Sequence, residues 1–223
     1  MNTVEWISAV MVRFGAEWVM WLMFALSGIS VAIIVERAWF YRTMQDDLHR
    51  LARELRSSLL ESIDAAKERM ARSPSAEAAV VSAGLTMADE GPEAAEEAMA
   101  GAAALQRTKL EKRLADLASL GSNAPFVGLF GTVIGIVAAF DALGKAPADA
   151  AAATAALAPQ AVMSSIGEAL VATAVGIAVA IPAVAANNYF QRLTSDILAN
   201  TEALSHVLLS HLKRRSLLAP EPS

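Results

Sequence analysis

Residues 18–35, 117–140 and 169–191 carry no Asp, Glu, Lys or Arg and are strongly apolar over 18, 24 and 23 residues. A helix needs about 20 apolar residues to cross a bilayer. The pattern predicts three transmembrane helices, over 18–35, 117–140 and 168–191. Trp18 and Trp21 mark one membrane interface of the first span. Trp39, Phe40 and Tyr41, with Arg37 and Arg42, mark the other, as in the aromatic belt of a retained span. The segment before this span is long and nearly neutral, and Glu36 and Arg37 stand where a signal peptide would have small residues for cleavage. Residues 2–12 pattern as a short interfacial helix within the N-terminal segment 1–17.

Between the first two spans the period changes. Leu48, Leu51, Leu55, Leu59 and Ile63 recur at steps of three and four, the helical period. Ser73-Pro74 reads as a break, with Pro74 placed for a new first turn, and Gly91-Pro92 reads as a second break. No Gly or Pro occurs from Ala102 to Leu120, and Leu110, Leu114 and Leu117 carry the apolar stripe forward. After the Gly91-Pro92 break, one helix is therefore expected to run unbroken from the cytoplasmic region 36–116 into the second span. The charged faces of this region are expected to meet water. The connection 141–167 is rich in alanine, and 192–223 reads as a further helix and tail.

Orientation follows from Lys and Arg, which remain on the cytoplasmic side. The N-terminal segment has one of these residues, 36–116 has twelve, the connection 141–167 has one and the C-terminal segment has four. The expected fold class is an all-α integral membrane protein with long cytoplasmic helical extensions, its N-terminus periplasmic and its C-terminus cytoplasmic.

Composition then removes whole classes of chemistry. Of 223 residues, 55% are apolar and 18% are charged, which argues against a water-soluble enzyme. There is no Cys, hence no disulfide, thiolate nucleophile or Cys-ligated metal. The three His lie outside the spans, and His206 and His211 miss the i,i+4 spacing of a metal site. No metal and no cofactor is expected. The net charge of −5 and the absence of a basic stripe give no footprint for nucleic acid. An intramembrane enzyme would need a nucleophile with its base, or a metal, and the spans hold no such pair.

The second and third spans each have a face of small residues. At roughly 100° per residue, Gly121, Pro125, Gly128, Thr132, Gly135 and Ala139 share a sector of about 80°. Phe126, Leu129, Phe130, Val133 and Val137 occupy the opposite face. In the third span Thr173, Gly176, Ala180 and Asn187 share a sector of about 60°. Two readings are open. In one, small residues let helices pack closely and each Thr bonds its own i−4 carbonyl. In the other, Thr132 and Thr173 line a polar path. Pro125 and Pro182 each remove a backbone donor and shape their helices under either reading. Glu168, flanked by Ser164 and Ser165, begins the third span. It is either a cation-collecting group at an outer mouth or a solvated charge at a helix start.

These residues resemble the ExbB/TolQ/MotA family of ion-driven motor stators, in its three-span ExbB/TolQ branch. The run APFVGLFGTV from Ala124 to Val133 matches the second-span signature. EALVATA from Glu168 to Ala174, AIPAV from Ala180 to Val184, and Asn187 match the third. Ser164-Ser165-Ile166-Gly167 stands where the family often has Pro-Gly-Ile-Ala. The resemblance implies a homo-oligomer, a five-membered ring of this subunit in the bacterial inner membrane. The ring would enclose two copies of a single-span ExbD/TolR-type partner that supplies a membrane Asp. It implies that Thr132 and Thr173 lie on the ion pathway, with Glu168 at the pore mouth and Gly128, Gly135, Gly176 and Ala180 facing the pore. TonB-type transport, Tol-type envelope constriction and gliding motility share this core, and each has a further envelope or motility partner. The alternative function is a structural membrane scaffold with no ion pathway.

Overall fold

The computed structural model describes residues 17–144 and 157–218. These form seven α-helices: α1 (Glu17–Met44), α2 (Leu48–Glu61), α3 (Ile63–Ala71), α4 (Ala76–Thr86), α5 (Pro92–Glu111), α6 (Leu114–Gly144) and α7 (Leu157–Leu218), with a 3-10 turn at Ala88–Glu90. No strand occurs among the described residues. The expected interfacial helix at 2–12 and most of the alanine-rich connection lie outside them.

Three helical segments are long and apolar enough to cross a membrane, as the charge-free windows predicted. At about 1.5 Å per residue, the 28 residues of α1 measure roughly 42 Å, well beyond the hydrocarbon core of about 30 Å. The chain divides into two compact units. One contains the first span with residues 115–187; the other contains residues 36–114 and 188 onward.

In the span unit the bulky apolar side chains point outward. Trp21, Phe24, Phe126, Phe140, Leu170 and Ile181 are all largely exposed. A water-soluble fold would bury them, whereas lipid solvates them. The interior is built from smaller or slimmer groups: Val19 and Met23 on α1, Ala124 and Ile134 on α6, and Val179 and Ala180 on α7.

The second unit has the opposite pattern. Leu51, Leu55 and Leu59 of α2 pack with Met70, Val81, Leu85 and Met99, and with Leu204, Leu208 and Leu212 of α7. Fully burying a side chain such as Leu55 contributes about 1.5–3 kcal/mol. Along α7, Phe190, Thr194, Ile197, Thr201, Leu204 and Leu208 are all buried. Their alternating steps of four and three are the heptad period of a packed helix seam. The two threonines on it are satisfied: Thr201 Oγ1 donates to the Ile197 carbonyl at 2.7 Å, and Thr194 Oγ1 lies 2.6 Å from the Tyr41 hydroxyl.

The helix boundaries differ from the expected ones in three places. Ser62 is fully extended and ends α2, its side chain accepting from the Ala65 amide at 3.0 Å to start α3. Helix α4 begins after Ser75, whose side chain caps the Ala78 amide, so Pro74 precedes the cap and is not in the first turn. Gly91-Pro92 does start α5, with Gly91 at φ 111°, a conformation that favours glycine.

The third difference is the largest. The expected unbroken helix is interrupted at Lys112 and Arg113, and Arg113 has a left-handed φ of 63°. A helix end leaves its last carbonyls without partners. Here two of them are met from α1. Arg37 Nη1 donates to the Lys109 carbonyl at 3.2 Å, and the Tyr41 hydroxyl donates to the Leu110 carbonyl at 3.0 Å. That uses the one Tyr41 proton, so Thr194 must donate to the Tyr41 oxygen. Tyr41 also stacks on Phe190 with ring centroids 5.3 Å apart, and Arg113 pairs with Glu36.

Two of the expected interface residues therefore have another role. Trp39 and Arg42 are exposed, whereas Arg37 and Tyr41 are 3% and 2% exposed. Burial raises the Tyr41 phenol above its ordinary value, an effect the Thr194 hydrogen bond partly opposes. Nor do all the charged groups meet water: Glu77 is buried at the start of α4.

Candidate functional site

The site is built where α6 and α7 touch inside the span unit. Side chains normally hold helix axes 8–10 Å apart; glycines permit a closer approach. A Cβ on Gly128 would lie 2.7 Å from the Ala172 carbonyl oxygen and 3.0 Å from Thr173 Cα. A Cβ on Gly176 would lie 2.8 Å from the Ala124 carbonyl oxygen and 3.1 Å from Gly128 Cα. Gly128 and Gly176 thus face each other with nothing between their backbones.

The seam continues in both directions. Gly135 approaches Ala169 and the Ser165 carbonyl; Gly121 approaches Val184. Gly131 lies between Ala172 and Val19 of α1. Ala180 is 6% exposed and packs in the same unit's core. The small-residue face of the second span therefore rests on the third span of the same chain. Its bulky face, carrying Phe126, Leu129, Phe130 and Val133, is exposed.

The two threonines flank this contact. Gly128 is level with Thr173, and Thr132 is one turn further along α6, an offset of about 6 Å. Their hydroxyls differ. Thr132 is buried and its Oγ1 donates to the Leu129 carbonyl at 2.7 Å, an i−3 bond. Thr173 is half-buried, and its Oγ1 is buried with no hydrogen-bond partner. The i−4 bond expected of a purely packing threonine is made by neither.

The remaining residues singled out in the sequence lie on the same two helices. Glu168 is exposed on α7 one turn before Ala172. Pro125 and Pro182 are inside α6 and α7, and both helices continue through them. No cluster of His, Cys, Asp or Glu able to hold a metal occurs among the described residues. One further hydroxyl escaped sequence reasoning: Ser30 of the first span is 2% exposed and its Oγ has no partner. A lone serine in an apolar helix gives no sequence signal for this.

A protein-family model described as the MotA/TolQ/ExbB proton channel family matches residues 64–203. The biopolymer transport protein ExbB of Xanthomonas campestris pv. campestris is 42% identical over 103 residues, covering 46% of this chain and 38% of the relative. ExbB of Neisseria gonorrhoeae is 47% identical over 92 residues, covering 41% of this chain and 38% of the relative. The Tol-Pal system protein TolQ of Pseudomonas aeruginosa is 46% identical over 93 residues, covering 42% and 37%. The chain thus spans less than two-fifths of the length of these relatives.

Proposed function

Because the chain belongs to the MotA/TolQ/ExbB proton channel family, we propose that it is the ring-forming subunit of a stator driven by the proton-motive force. It is a multi-pass inner-membrane protein of a transport family. Five copies surround two copies of an ExbD/TolR-type single-span partner. The N-terminus is periplasmic and the C-terminus cytoplasmic. Ion flow through the ring does mechanical work on the cell envelope, on TonB-type transport or on gliding motility.

The carrying observation is the Thr173 hydroxyl, buried without a partner at the closest point of the helix seam. Leaving such a group unpaired costs about 1–3 kcal/mol. A partner from outside this chain relieves that cost. The middle of each span holds no ionisable side chain, so the group that gains and loses charge belongs to the single-span partner, as an Asp. A threonine hydroxyl can donate to a carboxylate and accept from a carboxylic acid, so it serves both states of that Asp. Each ion crossing releases roughly 2.3 kcal/mol per 100 mV. Gly128, Gly135, Gly176 and Ala180 keep the two hydroxyl-bearing helices together along the pore. Pro125 and Pro182 set the local course of those helices. Glu168 gathers cations at the outer mouth.

A scaffold role without an ion path is favoured by one observation, the Thr132 bond to its own helix. Valine substitution separates the two. Val has the shape of Thr and lacks the oxygen, and interhelical hydrogen bonds in membranes average only about 0.6 kcal/mol. Thr132→Val and Thr173→Val are expected to co-purify with the partner and to abolish gradient-driven output in cells. Serine at either position should retain part of it. Full output from the double Val variant would leave the scaffold.

A further inference from the structure

Nothing in the local sequence calls for the break between α5 and α6. No Gly or Pro occurs from Ala102 to Leu120, and Leu110, Leu114 and Leu117, at steps of four and three, are all buried. Lys112 and Arg113 are both of residue types that favour a helix. Arg113 nevertheless holds a left-handed φ of 63°. That conformation is costly for a residue with a Cβ and free for glycine. Local preference therefore favours a helix wound through 112 and 113, and contacts from other elements hold it open.

Those contacts fall on particular atoms. In an α-helix each amide donates to the carbonyl four residues earlier. Winding through the break would direct the Arg113 amide to the Lys109 carbonyl and the Leu114 amide to the Leu110 carbonyl. These are the two carbonyls that α1 occupies, through Arg37 Nη1 at 3.2 Å and the Tyr41 hydroxyl at 3.0 Å. Helix α7 steadies Tyr41 through Thr194 and Phe190, and Glu36 holds Arg113. The Arg37 seat is incomplete: Nε is buried with no partner, and Nη2 meets Glu36 only at 3.4 Å. A buried donor left unpaired is unfavourable, so the open form carries a cost at Arg37 as well as at Arg113. Two sets of donors thus compete for one pair of acceptors, which is the property of a bistable element.

We propose that residues 112 and 113 form a two-state joint. It stands open, as in this structure, while Arg37 and Tyr41 are seated, and it winds into one helix when both withdraw. One donor alone does not set it: releasing Tyr41 exposes the Leu110 carbonyl while Arg37 still holds that of Lys109. The two donors are four residues apart on α1, hence on one face, so a single displacement of that helix frees both carbonyls. The joint immediately precedes α6, the helix that carries Thr132. Its use rests on the stator reading above: passage between the open and wound forms is a step in turning ion flow into work.

Hydrogen exchange on the full-length chain in native membranes reads the joint directly. The amides of 114–117, the first turn of α6, lack helical partners while the joint is open and gain them when it is wound. Arg37→Met with Tyr41→Phe should slow their exchange several-fold, and adding Arg113→Gly should reverse that. A second measurement leaves both caps intact. Glu111→His with Ala115→His makes an i,i+4 pair that Ni²⁺ bridges only across a wound turn, so Ni²⁺ should slow exchange over 114–117 in this variant and not in the parent. Absence of slowing in both variants would overturn the wound form. Use is tested separately. Arg113→Gly, favouring the open form, should reach the parent's membrane level and lose most gradient-driven output in cells. Arg113→Ala, which loses the same Glu36 pair without glycine's freedom, should retain more. Full output from Arg113→Gly beside lost output from Thr173→Val would overturn the working role of the joint and leave the stator reading standing. Full output from the double Val variant would remove that reading, with the exchange result unaffected.

Discussion

A methyl group placed on Gly128 and one placed on Gly84 would meet their neighbours at almost the same distance, 2.7 and 2.6 Å. The neighbours are of different kinds. At Gly128 the first atom met is a backbone carbonyl oxygen of the facing span. At Gly84, in the helical unit, it is Met99 Cγ, with Sδ at 2.7 Å, part of a flexible side chain. One unit is held by backbone lying on backbone. The other is held by interdigitated Leu and Met, which can repack. The buried hydroxyls differ as well: in the span unit Ser30 and Thr173 have no partner while Thr132 bonds its own helix, whereas Thr194, Thr201 and Tyr41 of the helical unit are all bonded, the buried group without a partner there being Arg37 Nε.

The most severe way to break this comparison is Gly128→Val. A facing backbone has no rotamer with which to yield, so the chain should fail to accumulate in the membrane. Gly84→Ala should accumulate, with a loss of about 1–3 kcal/mol as Met99 moves aside. Membrane level and detergent thermal unfolding measure both, and equal losses would show the division to be false. Next in size is Tyr41→Phe. It leaves the Leu110 carbonyl uncapped and should cost about 1–3 kcal/mol, with the lost protection read by hydrogen exchange over residues 106–116.

Two smaller changes sharpen the picture. Gly101 lies in α5 with nothing within 4 Å of its absent side chain. Gly101→Ala should therefore stabilise by about 0.5–1 kcal/mol, seen as a raised melting temperature. Glu77 is raised above the ordinary carboxyl value chiefly by burial, against hydrogen bonds from its own amide and Ser75. Its folded form therefore binds a proton more tightly than the unfolded form. The cost of its charge is absent below the unfolded value and grows as pH rises through the folded one. Glu77→Gln should raise the melting temperature at about pH 7, with a gain that vanishes toward about pH 4. A gain independent of pH would assign the effect to packing.

The spans were legible because lipid excludes unpaired charge and because the three windows are strongly apolar as well as free of charge. The small-residue faces were legible because Gly121, Gly128 and Gly135 recur at seven-residue steps, which keeps them on one face of a helix. The break at Lys112 and Arg113 was not. Neither residue is Gly or Pro, and the cause lies in Arg37 and Tyr41, about 70 positions away, which offer donors to the carbonyls the break releases. The α7 seam was obscured similarly, because Thr194 and Thr201 occupy heptad positions that an apolar pattern search passes over. The state of each threonine hydroxyl was also beyond sequence. Both sit on small-residue faces, and only the local geometry gives Thr132 a carbonyl and Thr173 none.

The Tyr41 hydroxyl also orders events in time. It precedes its acceptor at Leu110 by 69 positions and its donor Thr194 by 153. Ribosomes add about 5–20 residues per second, so some 8–30 seconds separate the synthesis of Tyr41 from that of Thr194. Thr194 is the last of the three groups to be made, so the joint at Tyr41 can be completed only after residues beyond the last span have been synthesised.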